Sequence, residues 1–441
     1  MINTFNKNTI FTLLALVIIL IASAVRFHNL GAQSLWYDEG VAYTHSLRTL
    51  PELMPLLQRN VHVPAYFGLL GIWEDVTGSS EFSLRMLSAL FSILSVAWTY
   101  ALGKRLFHPI AGLVAAALVA LNTFSIYYAQ ETRMYAMLAA IAVASMWVYV
   151  GLLRQLTFVG KRHVSSVIKY GLALGLINTL GAYTHVVFAL VMLSQAVMAS
   201  VWLLMMLYDG IRSKDGWTIR PAMYAFLAYF IANFLTLILF SPWLKVITSQ
   251  VFSQPNISEP VSIELVLRVL QGWFAFGNTF ELSMGNMGFV VYFFLLFGLI
   301  WSPPQPQQKR AIWNMMLPVM WVLISVVIYI YLELTTRYLR FLLPTQIAFA
   351  LWMGRGVWVL WTRRTREQHK VIRLIPKLAA LFATGVFLLT LANGLEPLYS
   401  NPEFQRDDIR GLSEKIESRL QDGDAVLVSA AGVEEILRYY Y

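Results

Sequence analysis

The apolar residues of this chain fall into blocks of roughly 18 to 22, each long enough to cross a hydrocarbon core of about 30 Å as a helix. Hydrophobic residues make up 58% of the chain and charged residues only 13%, too little charge to cover a water-soluble protein of 441 residues. The pattern therefore predicts an all-α, multi-pass membrane protein. We expect about eleven transmembrane helices: 10–27, 83–103, 109–127, 133–153, 168–184, 186–207, 221–241, 287–301, 312–332, 338–361 and 374–392.

Positive charge predicts how these spans are oriented. The formal net charge of +9 is not a nucleic-acid signal, because most Lys and Arg lie in short loops between apolar blocks. Loops such as Lys104-Arg105 and Arg363-Arg364 are expected in the cytoplasm, together with the N-terminus. The outer loops 28–82 and 242–286 and the C-terminus are then expected on the extracytoplasmic side of a plasma or inner membrane.

The first block is expected to remain as a span, because Arg26-Phe27-His28 offers no small-residue cleavage site. Residues 1–395 form the expected membrane domain, and 396–441 an extracytoplasmic α/β tail that is expected to be incomplete. The tail pattern predicts a helix from Asp407 to Leu420, a strand from Ala425 to Ser429 and a second helix.

Within the first outer loop, the segment from Val63 to Trp73 is apolar but too short to span. If it did cross, Lys104-Arg105 and the later basic loops would move outside. It is therefore expected to form an interfacial helix.

Two adjacent acids, Asp38 and Glu39, follow the first span and are flanked by aromatic residues. Carboxylates at a membrane surface are costly to desolvate, so they are expected either to be paired or to have a functional role. One of them can take the proton of an acceptor hydroxyl during glycosyl transfer, and Asp38 is the candidate base. The alternative is that both acids only cap a surface helix.

The chain has no cysteine, which excludes thiolate metal sites. The two neighbouring acids leave room for a divalent cation, but no ligand set of clear spacing predicts a metal site.

Arginines at the outer ends of spans are candidates to hold an anionic headgroup. Arg85 begins the second span, where it can also pair with Asp38, Glu39 or Glu81.

Two outer turns combine arginine with tyrosine, a combination that suits a phosphate at headgroup depth. One holds Glu131, Arg133 and Tyr135, for which a Glu131–Arg133 surface pair is the alternative. The other holds Arg337, Tyr338 and Arg340.

His62 and Tyr66 lie four residues apart and can share a helix face, where they would orient a sugar or acceptor hydroxyl. Partitioning of His and Tyr to the membrane interface is the alternative explanation. The sequence has no Walker-type phosphate loop, H-E-x-x-H or G-x-S-x-G motif. An enzyme without a nucleotide site that works on the outer face needs an activated donor delivered in the membrane, such as a polyprenyl-phosphate sugar.

The order of these pieces resembles the GT-C membrane glycosyltransferases of the protein O-mannosyltransferase and aminoarabinose transferase superfamily (glycosyltransferase family 39-like). The resemblance covers residues 25–150 best, and it rests on Asp38-Glu39, His62-x-Pro64, Leu84-Arg85, Lys104-Arg105-Leu106-Phe107 and the Tyr-rich turn ending at Arg133.

The resemblance implies an inverting transferase, with Asp38 as base, Glu39 beside it and arginines holding the carrier phosphate. The acceptor would be a lipid, a glycan or a protein. Membrane lipid would surround the enzyme. This chain has Val63 where the family often has a first of two prolines, which weakens a role for His62. The alternative function is a secondary transporter with an acidic site at the outer span ends.

Overall fold

A computed structural model describes residues 7–59, 62–157, 164–213, 216–251, 262, 264, 268–280, 288–300, 308–334, 336–362, 370–428 and 433–441. Within these ranges the chain is helical and contains no strand, which confirms the all-α prediction. The first half comprises α1 (Lys7–Phe27), α2 (Tyr37–Ser46), α3 (Leu50–Leu57), α4 (Ala65–Thr77), α5 (Glu81–Leu106), α6 (Pro109–Leu121), α7 (Thr123–Ala129), α8 (Tyr135–Thr157), α9 (Val164–Thr184) and α10 (Phe188–Ser213).

The second half begins with α11 (Gly216–Val251) and a π-helix (Arg268–Phe276). It continues with α12 (Gly288–Leu299), α13 (Gln308–Tyr331), a 3-10 helix (Thr336–Leu342), α14 (Leu343–Thr362), α15 (Lys370–Asn393), α16 (Leu395–Ser400), α17 (Ile409–Glu417) and α18 (Val433–Tyr440).

Seven helices in the described part of the chain are long and apolar enough to cross a membrane, or eight if the bent pair α6–α7 is one span. The helix at the expected span 287–301 is 12 residues long, about 18 Å, which is short for a hydrocarbon core. The multi-pass architecture is confirmed, and the total of eleven stays a prediction. The segment from Val63 to Trp73 does form a helix, α4, whose 13 residues are likewise too few to span.

The expected span 109–127 is broken by a 60° bend between α6 and α7. Asn122 ends α6 and caps α7, because its side chain accepts a hydrogen bond from the Ser125 amide. The buried Arg26 donates to the carbonyls of Val119 and Ala120 at 3.1 and 2.8 Å. These hydrogen bonds satisfy backbone carbonyl groups that lose their helical partners at the break. In an apolar environment such groups must be paired within the protein.

Helices α5, α6, α8 and α14 pack at the centre of the bundle. Small residues allow this close approach: a Cβ added to Gly103 would lie 2.6 Å from the Gly112 Cα atom. The starts of α5, α8 and α14 lie at one end of the bundle, since the side chains of Arg85 and Arg340 and the backbone amide of Thr132 converge there on α2.

The tail packs directly on the segment between α1 and α5. Helix α18 covers α2, and Ile436 lies so close to Gly40 that a Cβ there would be 3.2 Å from the Ile436 Cα atom. The Tyr440 hydroxyl accepts a hydrogen bond from the Leu35 amide at 2.6 Å, and Arg410 pairs with Glu81 at 2.6 Å.

Both tail helices form, but the α/β architecture of the tail is not confirmed. Residues 425–428 of the expected strand have no regular structure, and Ser429 lies outside the described residues. A strand needs a neighbouring strand for its backbone hydrogen bonds, and the described part of the tail supplies none.

Candidate active site

The first turn of α2 places the two acids. Trp36 precedes the helix in an extended conformation, and Glu39 at the third helical position accepts a hydrogen bond from the Trp36 amide at 3.3 Å. This capping arrangement fixes the start of α2. Asp38 and Glu39 are both buried, and they enter two different ion pairs.

Glu39 is fully buried and held by a bidentate contact with Arg85. The Arg85 Nε and Nη2 atoms lie 2.9 and 2.7 Å from the two carboxylate oxygens, and the Thr132 amide donates at 2.8 Å. Burial acts to raise the pKa of Glu39, but Arg85, Arg406 and the Thr132 amide lower it to about 2. Glu39 is therefore an ionised, tightly bound group.

The hydrogen-bond donors of Arg85 are all occupied by acceptors within the protein. Besides Glu39, its guanidinium donates to the carbonyl oxygens of Leu30, Gln33 and Ser34 at 2.8 to 3.1 Å. A guanidinium has five N–H donors, and these contacts occupy all of them. Of the three pairings considered from the sequence, the structure forms the one with Glu39, and the geometry leaves Arg85 no donor for a phosphate.

Asp38 faces two arginines from distant parts of the chain. Arg340 Nη1 lies 3.0 Å from Asp38 Oδ2, and Arg133 Nη1 donates to the Asp38 backbone carbonyl at 3.2 Å. Among the described residues, none donates a hydrogen bond to Asp38 Oδ1. The carboxylate is thus oriented by Arg340 through one of its two oxygens.

The same arginines retain unused donors. The Nε atoms of Arg133 and Arg340 and the hydroxyl of Thr132 are buried and have no hydrogen-bond partner. Buried polar groups are nearly always paired, so orphaned donors at one place indicate that a ligand or water completes them. Two guanidinium groups with free N–H donors match the oxygens of a phosphate.

Glu131 is also fully buried, and neither carboxylate oxygen has a hydrogen-bond partner. Among the described residues its nearest cation is Arg406, whose Nη2 atom lies 3.9 Å away. Burial raises the pKa of Glu131 to about 7, because the nearby arginines offset only part of the desolvation. The Glu131–Arg133 surface pair considered from the sequence is not formed, and Glu131 can carry a proton near neutral pH.

Arg406 in the tail is a site residue that sequence reasoning missed. Its side chain is 7% exposed, lies 3.8 Å from Glu39, and has the rings of Trp36 and Tyr127 within 5.2 Å of its guanidinium. No local pattern predicts this placement, because Arg406 follows Glu39 by several hundred residues and lies in a segment without apolar periodicity.

Three histidines surround this region. Burial lowers the pKa of His62 to about 4 with help from Arg133, and burial lowers the pKa of His185 to about 3. Both imidazoles are therefore neutral at neutral pH and can hydrogen-bond without adding charge. His45, which sequence analysis missed, is buried with both ring nitrogens unpartnered. It lies seven residues after Asp38, two helical turns along the same face of α2.

His62 and Tyr66 do not act as a helical pair. His62 precedes α4, which begins at Ala65, and packs against the ring of Phe67. Tyr66 is fully buried, and its hydroxyl contacts the Ser88 hydroxyl at 2.9 Å. Ser88 in turn donates to the Arg133 carbonyl at 3.1 Å. Tyr66 thus supports the turn that carries Arg133 and does not reach an open surface.

The tyrosines at the two turns pack around the arginines. Tyr135 is buried, and the guanidinium of Arg340 lies 5.2 Å from the centre of its ring. Tyr338 is partly buried against Phe341. Arg337 lies in the 3-10 helix Thr336–Leu342, but its side chain lies outside the described part of the structure.

A cavity of about 1110 Å³ opens beside this cluster. Tyr127, which contacts Arg406, and Tyr128 line it, as does Leu339, the neighbour of Arg340. The π-helix and the start of the tail supply the other walls, including Trp273, Asn278 and Glu403. Asp38 itself is not among the lining residues.

A divalent cation beside the two acids is not confirmed. Asp38 and Glu39 are each bound by an arginine, and no group of three or more His, Asp or Glu residues suited to a metal occurs among the residues that the structure describes. We therefore derive no step through a metal.

Comparisons with known proteins identify the fold. No family model and no curated protein sequence matches this chain. Among solved structures, ArnT from Cupriavidus metallidurans in the apo state is similar with a TM-score of 0.60 and 11% identity, over 96% of this chain and 84% of ArnT. ArnT bound to undecaprenyl phosphate gives a TM-score of 0.54 at 12% identity over the same shares of the two chains.

The archaeal oligosaccharyltransferase AglB from Archaeoglobus fulgidus, in complex with an inhibitory peptide and a dolichol-phosphate, is similar with a TM-score of 0.57 and 13% identity. The match covers 95% of this chain and 59% of AglB, so the chain spans about three fifths of that protein's length. At these identities the likeness concerns the fold. The chain has the GT-C fold of membrane glycosyltransferases, as the order of its sequence motifs predicted.

Proposed function

We propose that this protein is an inverting glycosyltransferase that moves a sugar from a polyprenyl-phosphate carrier to an acceptor hydroxyl. One observation carries the proposal: Asp38 is held by two buried arginines, Arg133 and Arg340, whose Nε donors are unpaired. A carboxylate beside unpaired guanidinium donors is what this reaction needs. The two similar structures with undecaprenyl phosphate and dolichol-phosphate support a carrier of this class.

The reaction follows from the arrangement. The acceptor oxygen attacks the anomeric carbon from the face opposite the phosphate, and its proton passes to Asp38. A new carbon–oxygen bond forms as the bond between the anomeric carbon and the phosphate oxygen breaks. The electron pair leaves with the polyprenyl phosphate. Arg133 and Arg340 stabilise the negative charge that develops there, and because they are already in place the barrier falls.

Residues around Asp38, Arg133 and Arg340 hold these three reacting groups in position. Arg85 and Glu39 fix the first turn of α2, and Thr132, the neighbour of Arg133, donates a hydrogen bond from its backbone amide to Glu39. Glu131, protonated near neutral pH, can donate a hydrogen bond to a phosphate or sugar oxygen. We assign Glu39 and Arg85 to positioning, and Arg133, Arg340 and Asp38 to the reacting groups.

The active site is proposed to face away from the cytoplasm. It lies at the end of the bundle where α5 and α8 begin, whereas Lys104, Arg105 and Arg154 lie where these helices end. Positive residues concentrate on the cytoplasmic side of membrane proteins, which supports this orientation. The proposed location is the plasma or inner membrane, with the donor reaching the site through the lipid phase.

The test uses Asp38→Asn, which keeps the size of the side chain and removes its basicity. Membranes containing the variant are supplied with a radiolabelled polyprenyl-phosphate sugar, and transfer of label to the acceptor fraction is measured. We expect transfer to fall by at least about 100-fold, the usual range for a lost general base. Asp75→Asn, at an exposed position on α4, is the control and should retain activity. Unchanged transfer in Asp38→Asn would remove Asp38 from the mechanism.

A further inference from the structure

The described lining residues of the cavity beside the active site carry a net negative charge, which disfavours phosphate. Glu396 and Glu403 are exposed carboxylates in its wall, and Arg268 is its one cation among the described lining residues. Arg268 is itself paired with Glu264 at 3.6 Å. An anion entering the cavity therefore meets net negative charge from the described lining residues, whereas Arg133 and Arg340, whose Nε donors have no partner, do not line it.

The rest of the wall suits a carbohydrate. Tyr127, Tyr128 and Trp273 supply flat apolar faces, on which the C–H faces of sugar rings pack. Asn278 supplies a polar atom, Oδ1, which is buried and has no hydrogen-bond partner among the described residues. An orphaned amide oxygen in a cavity wall indicates a ligand that donates a hydrogen bond, as a sugar hydroxyl does.

The size and position of the cavity agree with an acceptor. Its volume of about 1110 Å³ exceeds the roughly 300–1,000 Å³ of ordinary ligand pockets, so it has room for more than one sugar ring. Leu339 and Tyr128 line it, and their neighbours Arg340 and Tyr135 belong to the Asp38 cluster.

From these observations we infer that the cavity binds the acceptor, and that the acceptor presents an uncharged carbohydrate without phosphate or carboxylate groups. This inference rests on the proposed glycosyl transfer and adds the chemical class of the acceptor. The protein would then separate its two substrates by charge. The phosphate of the donor binds at Arg133 and Arg340, and the neutral sugar of the acceptor binds between Tyr128 and Glu403.

The test measures binding rather than transfer. The full chain is placed in phosphatidylcholine nanodiscs and titrated with a fluorescent alkyl maltoside and with the same compound phosphorylated on one hydroxyl. We expect the phosphorylated probe to bind about tenfold more weakly, as expected for a like charge near the protein surface. In the variant Glu396→Gln/Glu403→Gln the two probes should bind within about threefold of each other, because the repulsion is gone.

Two further variants complete the design. Glu414→Gln changes an exposed tail carboxylate outside the cavity and should leave the wild-type preference intact. Trp273→Ala should weaken both probes equally, since it removes a stacking face and no charge. Equal or tighter binding of the phosphorylated probe to the wild type, failure of both probes to bind, or a preference unchanged in the double variant would each overturn the inference.

Binding of undecaprenyl phosphate is measured in the same nanodiscs. If it binds while the maltoside does not, the acceptor assignment fails and the proposed donor site stands. If undecaprenyl phosphate does not bind, the proposed function fails, whatever the cavity accepts.

Discussion

Replacing Glu39 by glutamine separates a positioning role from a catalytic one. The substitution keeps the shape of the side chain and removes the charge that holds Arg85, both groups being almost completely buried. Removing one partner of a buried ion pair typically costs about 3–5 kcal/mol, because the other charge stays buried without compensation. The pKa of Glu39 gives a similar figure: its fall from 4.5 to about 2 corresponds to roughly 3 kcal/mol.

The sign of this contribution follows from the lowered pKa. Glu39 is a stronger acid in the folded protein than in the unfolded chain, so the stabilisation is complete above a pH of about 4.5. It is lost as the pH falls towards 2. At neutral pH the full penalty should therefore appear in the variant.

The assay is denaturant unfolding of the purified protein in detergent. Glu39→Gln should lose about 3–5 kcal/mol, and the double variant Glu39→Gln/Arg85→Met should lose less than the sum of the two single changes. Glu414→Gln, an exposed matched control, should change stability by less than about 0.5 kcal/mol. The reasoning is refuted if Glu39→Gln is as stable as the control yet inactive, since Glu39 would then act in the chemistry.

Three further predictions concern residues around Asp38. Arg406→Ala should lower the free energy of unfolding by about 1–3 kcal/mol, because Glu131 loses its nearest cation; an unchanged unfolding midpoint would show that the tail does not hold the site. Glu131 has a raised pKa, so the folded protein should lose roughly 3 kcal/mol of stability as the pH rises from 4.5 through 7, and Glu131→Gln should flatten this dependence. Equal pH profiles would contradict the burial argument. Arg133→Ala should weaken undecaprenyl phosphate binding by roughly 10- to 100-fold, and Arg133→Lys should restore only part of it; full affinity in both variants would exclude a bidentate contact.

The sequence predicted features that depend on short-range pattern. Apolar blocks located the helices because the bilayer imposes a minimum length on any spanning segment. The acids Asp38 and Glu39 and the arginines Arg85, Arg133 and Arg340 were found because charged residues at span ends are costly without partners. Their meeting at one end of the bundle followed from the alternation of loops.

The pairings could not be predicted from the same patterns. Arg340 pairs with Asp38 across 302 residues, and which of the buried acids an arginine selects depends on side-chain packing at the end of the bundle. Asp38 is assigned to the reaction and Glu39 to positioning because of these contacts. The sequence could not distinguish the two roles, since adjacent acids have nearly identical local surroundings. Arg406 escaped notice because the tail packs on α2 through contacts that no periodicity encodes. The 60° break at Asn122 depends on Arg26, a partner in another helix.

The most direct test of the account is a structure of the full chain with undecaprenyl phosphate bound in nanodiscs. We expect the phosphate oxygens to lie within hydrogen-bonding distance, about 3 Å, of the Nε atoms of Arg133 and Arg340, with Asp38 on the side from which an acceptor can approach. A phosphate bound at the other end of the bundle, or in the cavity against Glu396 and Glu403, would contradict it.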